Sequence, residues 1–139
     1  MRCVAIAAVL ALSTGLGTAG SQVPGTPADT CQGDSLQAAR ADSLILDAGA
    51  AAEGSGLPPR VLRRYVFSRL RRAVQLAPLD HDDWGMILQL SRFLDRPDSA
   101  VALAQLALAR WPACKYGRAA LAEAESTAAR AHRHERRPN

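Results

Sequence analysis

The 139-residue sequence predicts an all-α fold of about five helices arranged in antiparallel hairpins. Apolar residues recur every three or four positions along most of the chain after residue 34. Prolines stand between these stretches, and no segment has the alternation of a half-buried strand. These observations predict one helical domain at 34–132, either a short solenoid or a small bundle, followed by a basic tail at 133–139.

The first 20 residues have the features of a secretory signal. Arg2 precedes an apolar run, 3–16, and small residues typical of a cleavage site follow it. The same segment is long enough to remain as an uncleaved membrane anchor. Residues 21–33 are rich in Pro, Gly and Thr and predict a flexible linker. Both alternatives predict export across the inner membrane of a bacterial cell, with the helical domain periplasmic or secreted.

Two helices are predicted between Asp34 and Ala77. The first ends near Gly54. Its apolar face is expected at four positions, Leu36, Ala39, Leu44 and Ala48. The second begins at Pro59, because proline suits the first turn of a helix, and it carries arginines opposite its apolar face.

Three more helices are predicted after Pro78. Asp80 is a natural N-cap for the third helix, 82–94, and the acidic residues in its first turn suit the positive end of the helix dipole. The fourth helix is predicted at 98–110, and the fifth, mostly alanine, at about 115–132. The five helices are joined by short turns, which favours antiparallel neighbours.

The spacing of alanines and prolines indicates a repeat. Ala73 and Ala107 are 34 residues apart, and so are Pro78 and Pro112. With helices paired at this interval, the chain resembles the tetratricopeptide repeat (TPR) family, with one degenerate unit at about 81–114. The matching residues are Trp84, Ile87, Leu88, Ser91, Ala100, Ala104 and Pro112. Leu88 and Ser91 stand where the family has Gly and Tyr.

The resemblance implies a non-catalytic protein-protein interaction module. Proteins of this family hold a peptide or a helix in a groove lined by the first helix of each pair. The corresponding residues here are Trp84, Leu88, Ser91 and Arg92. So short a groove favours an accessory or scaffold subunit of a larger assembly. The alternative is a membrane-anchored structural subunit of an integral-membrane complex, with residues 3–20 spanning the bilayer.

Charge is distributed unevenly between the first two helices. Residues 29–53 carry five acids and one arginine, whereas residues 60–72 carry six arginines and no acid. One interpretation is that the two helices pair through these charges. The other is a basic surface that contacts an acidic protein or anionic lipid, while export disfavours nucleic acid as a partner. The residues of that surface are Arg60, Arg63, Arg64, Arg71 and Arg72.

Cys31 and Cys114 remain after the signal segment. In an oxidising compartment they are expected either to form a disulfide or to be two buried thiols. The sequence has no catalytic motif, and no enzyme activity, metal or other cofactor is predicted. The His and Asp residues at 81–83 are explained by helix capping, and the His and Glu residues at 132–135 by a solvated tail.

Overall fold

The computed structural model describes residue 31 and residues 33–136. They form five α-helices: α1 (Ser35–Gly54), α2 (Pro59–Leu76), α3 (His81–Phe93), α4 (Pro97–Arg110) and α5 (Lys115–Glu135). This part of the chain contains no strand, so the predicted all-α class is confirmed. None of its helices combines the length and the hydropathy needed to cross a bilayer. The predicted signal or anchor at 1–20, and nearly all of the predicted linker, lie outside the described residues.

Three helices begin at the residues that the sequence indicates. The carboxylate of Asp34 accepts a hydrogen bond of 2.8 Å from a backbone N–H in the first turn of α1. Pro59 occupies the first turn of α2, where a missing N–H costs no helical hydrogen bond. Asp80 caps α3 and accepts from the backbone N–H groups of Asp82 and Asp83. The Asp83 carboxylate accepts in return from the Asp80 N–H, which completes a capping box.

Helix α5 is longer than predicted. It continues to Glu135, so the first part of the predicted tail, 133–135, is helical. The ring of His132 lies 3.2 Å from a carboxylate oxygen of Asp98 in α4 and 3.6 Å from one of Glu135. The contact with Asp98 joins the end of α5 to the start of α4, whereas Glu135 lies on the same helix as His132. Residues 132–135 are exposed to solvent as predicted, but they are helical and do not form a frayed tail.

The helices form two layers. Helices α1, α3 and α5 are successive neighbours in one layer, and α2 and α4 lie side by side in the other. The most extensive contacts join α1 to α2 and α4 to α5. The connections have only three or four residues, so consecutive helices run in opposite directions. Helices α2 and α4 are therefore parallel.

The main core lies between the two layers and is rich in alanine. Its largest fully buried side chains are Leu70, Ile87, Val66, Val74 and Ser91. Buried alanines occur on α1, α2, α4 and α5, among them Ala41, Ala48, Ala73, Ala104, Ala107 and Ala120. Because alanine contributes little apolar area, close approach of the helices replaces large side chains in much of this core.

The buried face of α1 differs from the predicted face. Small residues dominate it, together with one isoleucine: Ala41, Ile45, Ala48 and Gly49. Of the four predicted residues, Ala48 is buried as predicted, Leu44 is half-buried, and Leu36 and Ala39 are exposed. The correction has a physical reason, because α1 contacts both α2 and α3 through a stripe of small side chains that allows close approach. The larger leucines lie outside this stripe.

A disulfide joins Cys31 to Cys114. Their Cα atoms are 4.6 Å apart, and the two residues are separated by 83 positions in the sequence. The bond attaches the residue preceding α1 to the loop between α4 and α5. Cys114 is buried, with its Sγ atom 3.8 Å from the carbonyl oxygen of Leu79. The two cysteines therefore form a disulfide and are not two buried thiols.

Candidate functional site

One arginine of α2 forms the expected charge pair with α1. The Nε atom of Arg69 lies 3.1 Å from a carboxylate oxygen of Asp47. The hydroxyl of Tyr65 donates to the same carboxylate at 2.7 Å and accepts from Arg69 at 3.2 Å. The hydrogen bond to Tyr65 is the main cause that raises the pKa of Arg69 above its ordinary value. Within the described part of the chain, this is the only ion pair between α2 and α1.

The other arginines of α2 are those predicted to form a basic surface. They are Arg60, Arg63, Arg64, Arg71 and Arg72. All are exposed except Arg63, which is half-buried. None of them forms an ion pair with another residue that the structure describes. Pairing with α1 therefore leaves most of the positive charge of α2 uncompensated.

A groove runs between the parallel helices α2 and α4, and its first section is basic. This section has a volume of about 440 Å³. It is lined by Arg60, Arg63, Arg64, Phe67, Arg96 and Ser99. Ser99 lies in the first turn of α4, where the helix dipole adds positive potential. Three arginines of the predicted basic surface thus converge with Arg96 on one end of the groove.

The middle of the groove has an apolar floor. Phe67, Leu103 and Leu106 form this floor in a section of about 370 Å³, together with Ala102. Arg71 also lines this section. A third section, of about 390 Å³, adjoins it at Leu106 and is lined by residues that include Gln75 and Arg110.

The three sections adjoin because they share residues. Phe67 and Ser99 line both of the first two, and Leu106 lines both of the last two. None of the acidic side chains among the described residues lines any of these sections. We call this surface the α2–α4 groove; its six arginines are Arg60, Arg63, Arg64, Arg71, Arg96 and Arg110. An apolar floor between arginines can bind a ligand that is both apolar and acidic.

The binding groove predicted on α3 is corrected by the structure. Trp84, Leu88 and Ser91 are buried, and the Ser91 hydroxyl donates to the carbonyl of Ile87 at 2.9 Å. Only Arg92 is exposed, and it forms an ion pair with Glu123 of α5. Helix α3 contacts α1, α4 and α5, which leaves these three side chains inside the domain.

The sequence-based prediction missed the residues of the groove that lie outside the basic surface. Phe67, an aromatic residue among arginines, could have indicated a groove on this face of α2. A helix face that is exposed only to water does not usually carry an aromatic side chain. The contribution of α4 was not visible, since 100–109 is apolar on nearly all sides and does not reveal which face is covered. Arg72 is exposed and does not line the groove.

A separate acidic pocket lies beside the disulfide. It has a volume of about 410 Å³, and Cys31, Asp42, Asp80 and Asp83 are among its lining residues. Burial is the largest cause that raises the pKa of Asp83 to about 6, followed by the negative charges of Asp80 and Asp42. Asp83 therefore retains its proton in the folded state at a pH where it is ionised in the unfolded chain.

The free energy of unfolding is expected to fall as the pH rises from about 4 to about 6. Over this range Asp83 is ionised in the unfolded chain but still protonated in the folded protein, so each step in pH favours the unfolded chain. We expect Asp83→Asn to raise the free energy of unfolding at neutral pH by about 1 kcal/mol, after allowance for solvent screening. Asparagine keeps an oxygen that accepts from the Asp80 N–H. Urea unfolding at about pH 4.5 and 7.5 measures both effects.

Asp82→Asn is the matched control for this prediction. Asp82 is exposed in the same helical turn, where its charge interacts favourably with the helix dipole. It is also the smallest of the negative charges that raise the pKa of Asp83, so the two effects of its loss oppose each other. The control variant is not expected to stabilise the protein at neutral pH. Equal stabilisation by both variants would show that Asp83 has no special role.

Among the described residues, no group of three or more His, Cys, Asp or Glu side chains is placed to hold a metal ion. No family model, no curated protein and no solved structure matches this chain.

Proposed function

We propose that this chain is a non-catalytic protein-protein interaction module, an accessory or scaffold subunit of a larger assembly. The observation that carries the proposal is the α2–α4 groove, whose apolar floor and arginines are open to a partner. Arginine and aromatic side chains are the residue types that contribute most to protein interfaces. Phe67 and Leu106 offer apolar contacts, and the guanidinium groups can pair with carboxylates of a partner, since no described residue supplies one there.

We also propose that α3 and α4 form one degenerate TPR-like unit. Three features support this proposal. The helices are arranged in two layers, prolines recur after 34 residues, and small buried residues occur on α4 at Ala100, Ala104 and Ala107. In a stack of this kind each helix pair covers its neighbour, and the outer surfaces remain available for binding.

The proposal includes export from the cytoplasm. The sequence of residues 1–20 has the features of a signal, and the Cys31–Cys114 disulfide is of a kind that persists in oxidising compartments. Export favours a protein partner over nucleic acid for the arginines of the groove. Export also means that the assembly forms outside the reducing cytoplasm.

Photo-cross-linking in the cells that make the protein tests this function. A photoreactive residue at Ala102, which is exposed and lines the groove, is expected to capture a partner protein. The variant Arg63→Glu/Arg64→Glu is expected to reduce this product about tenfold, because two attractive charges become repulsive. Gel separation and mass spectrometry of the cross-linked band measure the product.

The variant Arg40→Glu/Arg133→Glu is the control. It changes the net charge by the same amount at exposed positions on α1 and α5, outside the groove. Cross-linking at Ala102 is expected to be unchanged in this variant. If no protein is captured at Ala102, or if both double variants reduce capture equally, the groove is not a protein-binding site.

A further inference from the structure

We infer that the partner segment bound in the α2–α4 groove is an acidic amphipathic helix. This inference rests on the proposed function and specifies the chemistry of the partner. Three properties of the groove support it: its length, its recessed apolar floor and the position of its arginines.

The length of the groove suits a helix of about four turns. On α2 the groove extends from Arg60 to Gln75, which corresponds to about 22 Å at 1.5 Å per residue. On α4 it extends from the start of the helix to Arg110. The surface between two parallel helices is the place where a third helix packs, with its side chains inserted between theirs.

The apolar residues are recessed, which favours a helix over a flat membrane. Leu103 is only 5% exposed, and Phe67 and Leu106 are half-buried. Binding to a lipid surface requires apolar side chains that protrude into the bilayer. A partner helix reaches recessed residues with leucine-sized side chains at intervals of three and four positions.

The arginines are distributed along the groove, which favours several carboxylates over one anion. Arg60, Arg63, Arg64 and Arg96 line the first section. Arg71 lies in the middle section and Arg110 in the last. A single phosphate contacts one end only, whereas glutamates on both flanks of an amphipathic helix reach all three sections. The apolar stripe of such a helix then faces Phe67 and Leu106.

A synthetic peptide of about 16 residues tests the inference, with leucines on one face and glutamates on both flanks. Binding of the fluorescently labelled peptide to the purified, oxidised protein is measured by anisotropy. A scrambled peptide of the same composition is expected to bind about tenfold more weakly, because it lacks an apolar face. A peptide with lysine in place of glutamate is expected not to bind.

Two matched pairs of protein variants locate the binding site. We expect Arg63→Glu/Arg64→Glu to weaken peptide binding about tenfold, and Arg40→Glu/Arg133→Glu to change it by less than about twofold. Ala102→Glu, which places a carboxylate in the groove, is expected to weaken binding to a similar extent. Ala119→Glu makes the same change at an exposed position of α5 and leaves binding unchanged. Thermal unfolding verifies that each variant is folded.

Several results would overturn the inference. Equal binding of the scrambled peptide would mean that acidity alone is recognised. Tighter binding to anionic lipid vesicles, with the same dependence on Arg63 and Arg64, would assign the groove to a membrane. If no peptide binds while a protein is still cross-linked at Ala102, the proposed function holds and the acidic helix is wrong. Absence of both signals removes both proposals.

Discussion

Replacing Cys31 and Cys114 with serine is expected to lower the free energy of unfolding by about 4 kcal/mol. The disulfide closes a loop that contains four of the five helices, so its loss restores much conformational freedom to the unfolded chain. Domains of this size have a total stability of about 5–15 kcal/mol. The alanine-rich core provides little reserve against such a loss. Urea unfolding followed by circular dichroism measures the difference.

Reduction of the unaltered protein provides the control for this prediction. After reduction and alkylation, its unfolding midpoint is expected to approach that of the double serine variant, because both lack the same covalent link. A difference of less than about 1 kcal/mol between oxidised and reduced protein would show that the noncovalent packing is sufficient by itself.

Leu70→Ala is expected to lower the free energy of unfolding by about 3 kcal/mol. Leu70 is fully buried on α2 and is among the largest side chains in the core. Its truncation removes apolar contacts and leaves a cavity that rigid neighbouring helices cannot fill. Chemical denaturation of the oxidised protein measures the loss, with the dependence on urea expected to stay the same.

Leu46→Ala is the matched control, since the same atoms are removed from a side chain that is 65% exposed. A change within about 0.5 kcal/mol is expected for this variant. Similar losses for the two variants would mean that α2 does not pack in the core as described. Helix α2 carries both Leu70 and four of the six arginines of the groove. Leu70→Ala is therefore also expected to weaken binding of a partner under conditions in which α2 is partly unfolded.

Local signals in the sequence identified the helices well. Pro59 and Asp80 act within one turn of the chain, so their effect does not depend on distant residues. Trp84 and Ile87 are buried, as expected of large apolar residues on a helix with a polar opposite face, although the family resemblance implied a place for Trp84 in a binding groove.

The surfaces between helices were less predictable. Ala41 and Gly49 allow α1 to pack closely because they are small, whereas the predicted apolar face of α1 omitted both residues and included the exposed Leu36. The groove depends on α2 and α4 being adjacent, although α3 separates them in the sequence. Asp47 pairs with Arg69 because of the relative position of α1 and α2 along their axes. Local sequence patterns do not determine this position.

The disulfide also determines how mechanical force passes through the chain. Tension between the two chain ends enters at Cys31, crosses the covalent bond to Cys114 and continues into α5. Helices α1 to α4 lie in the closed loop, outside the covalent path of this load. The groove between α2 and α4 can therefore keep its shape while the two ends of the protein are pulled apart.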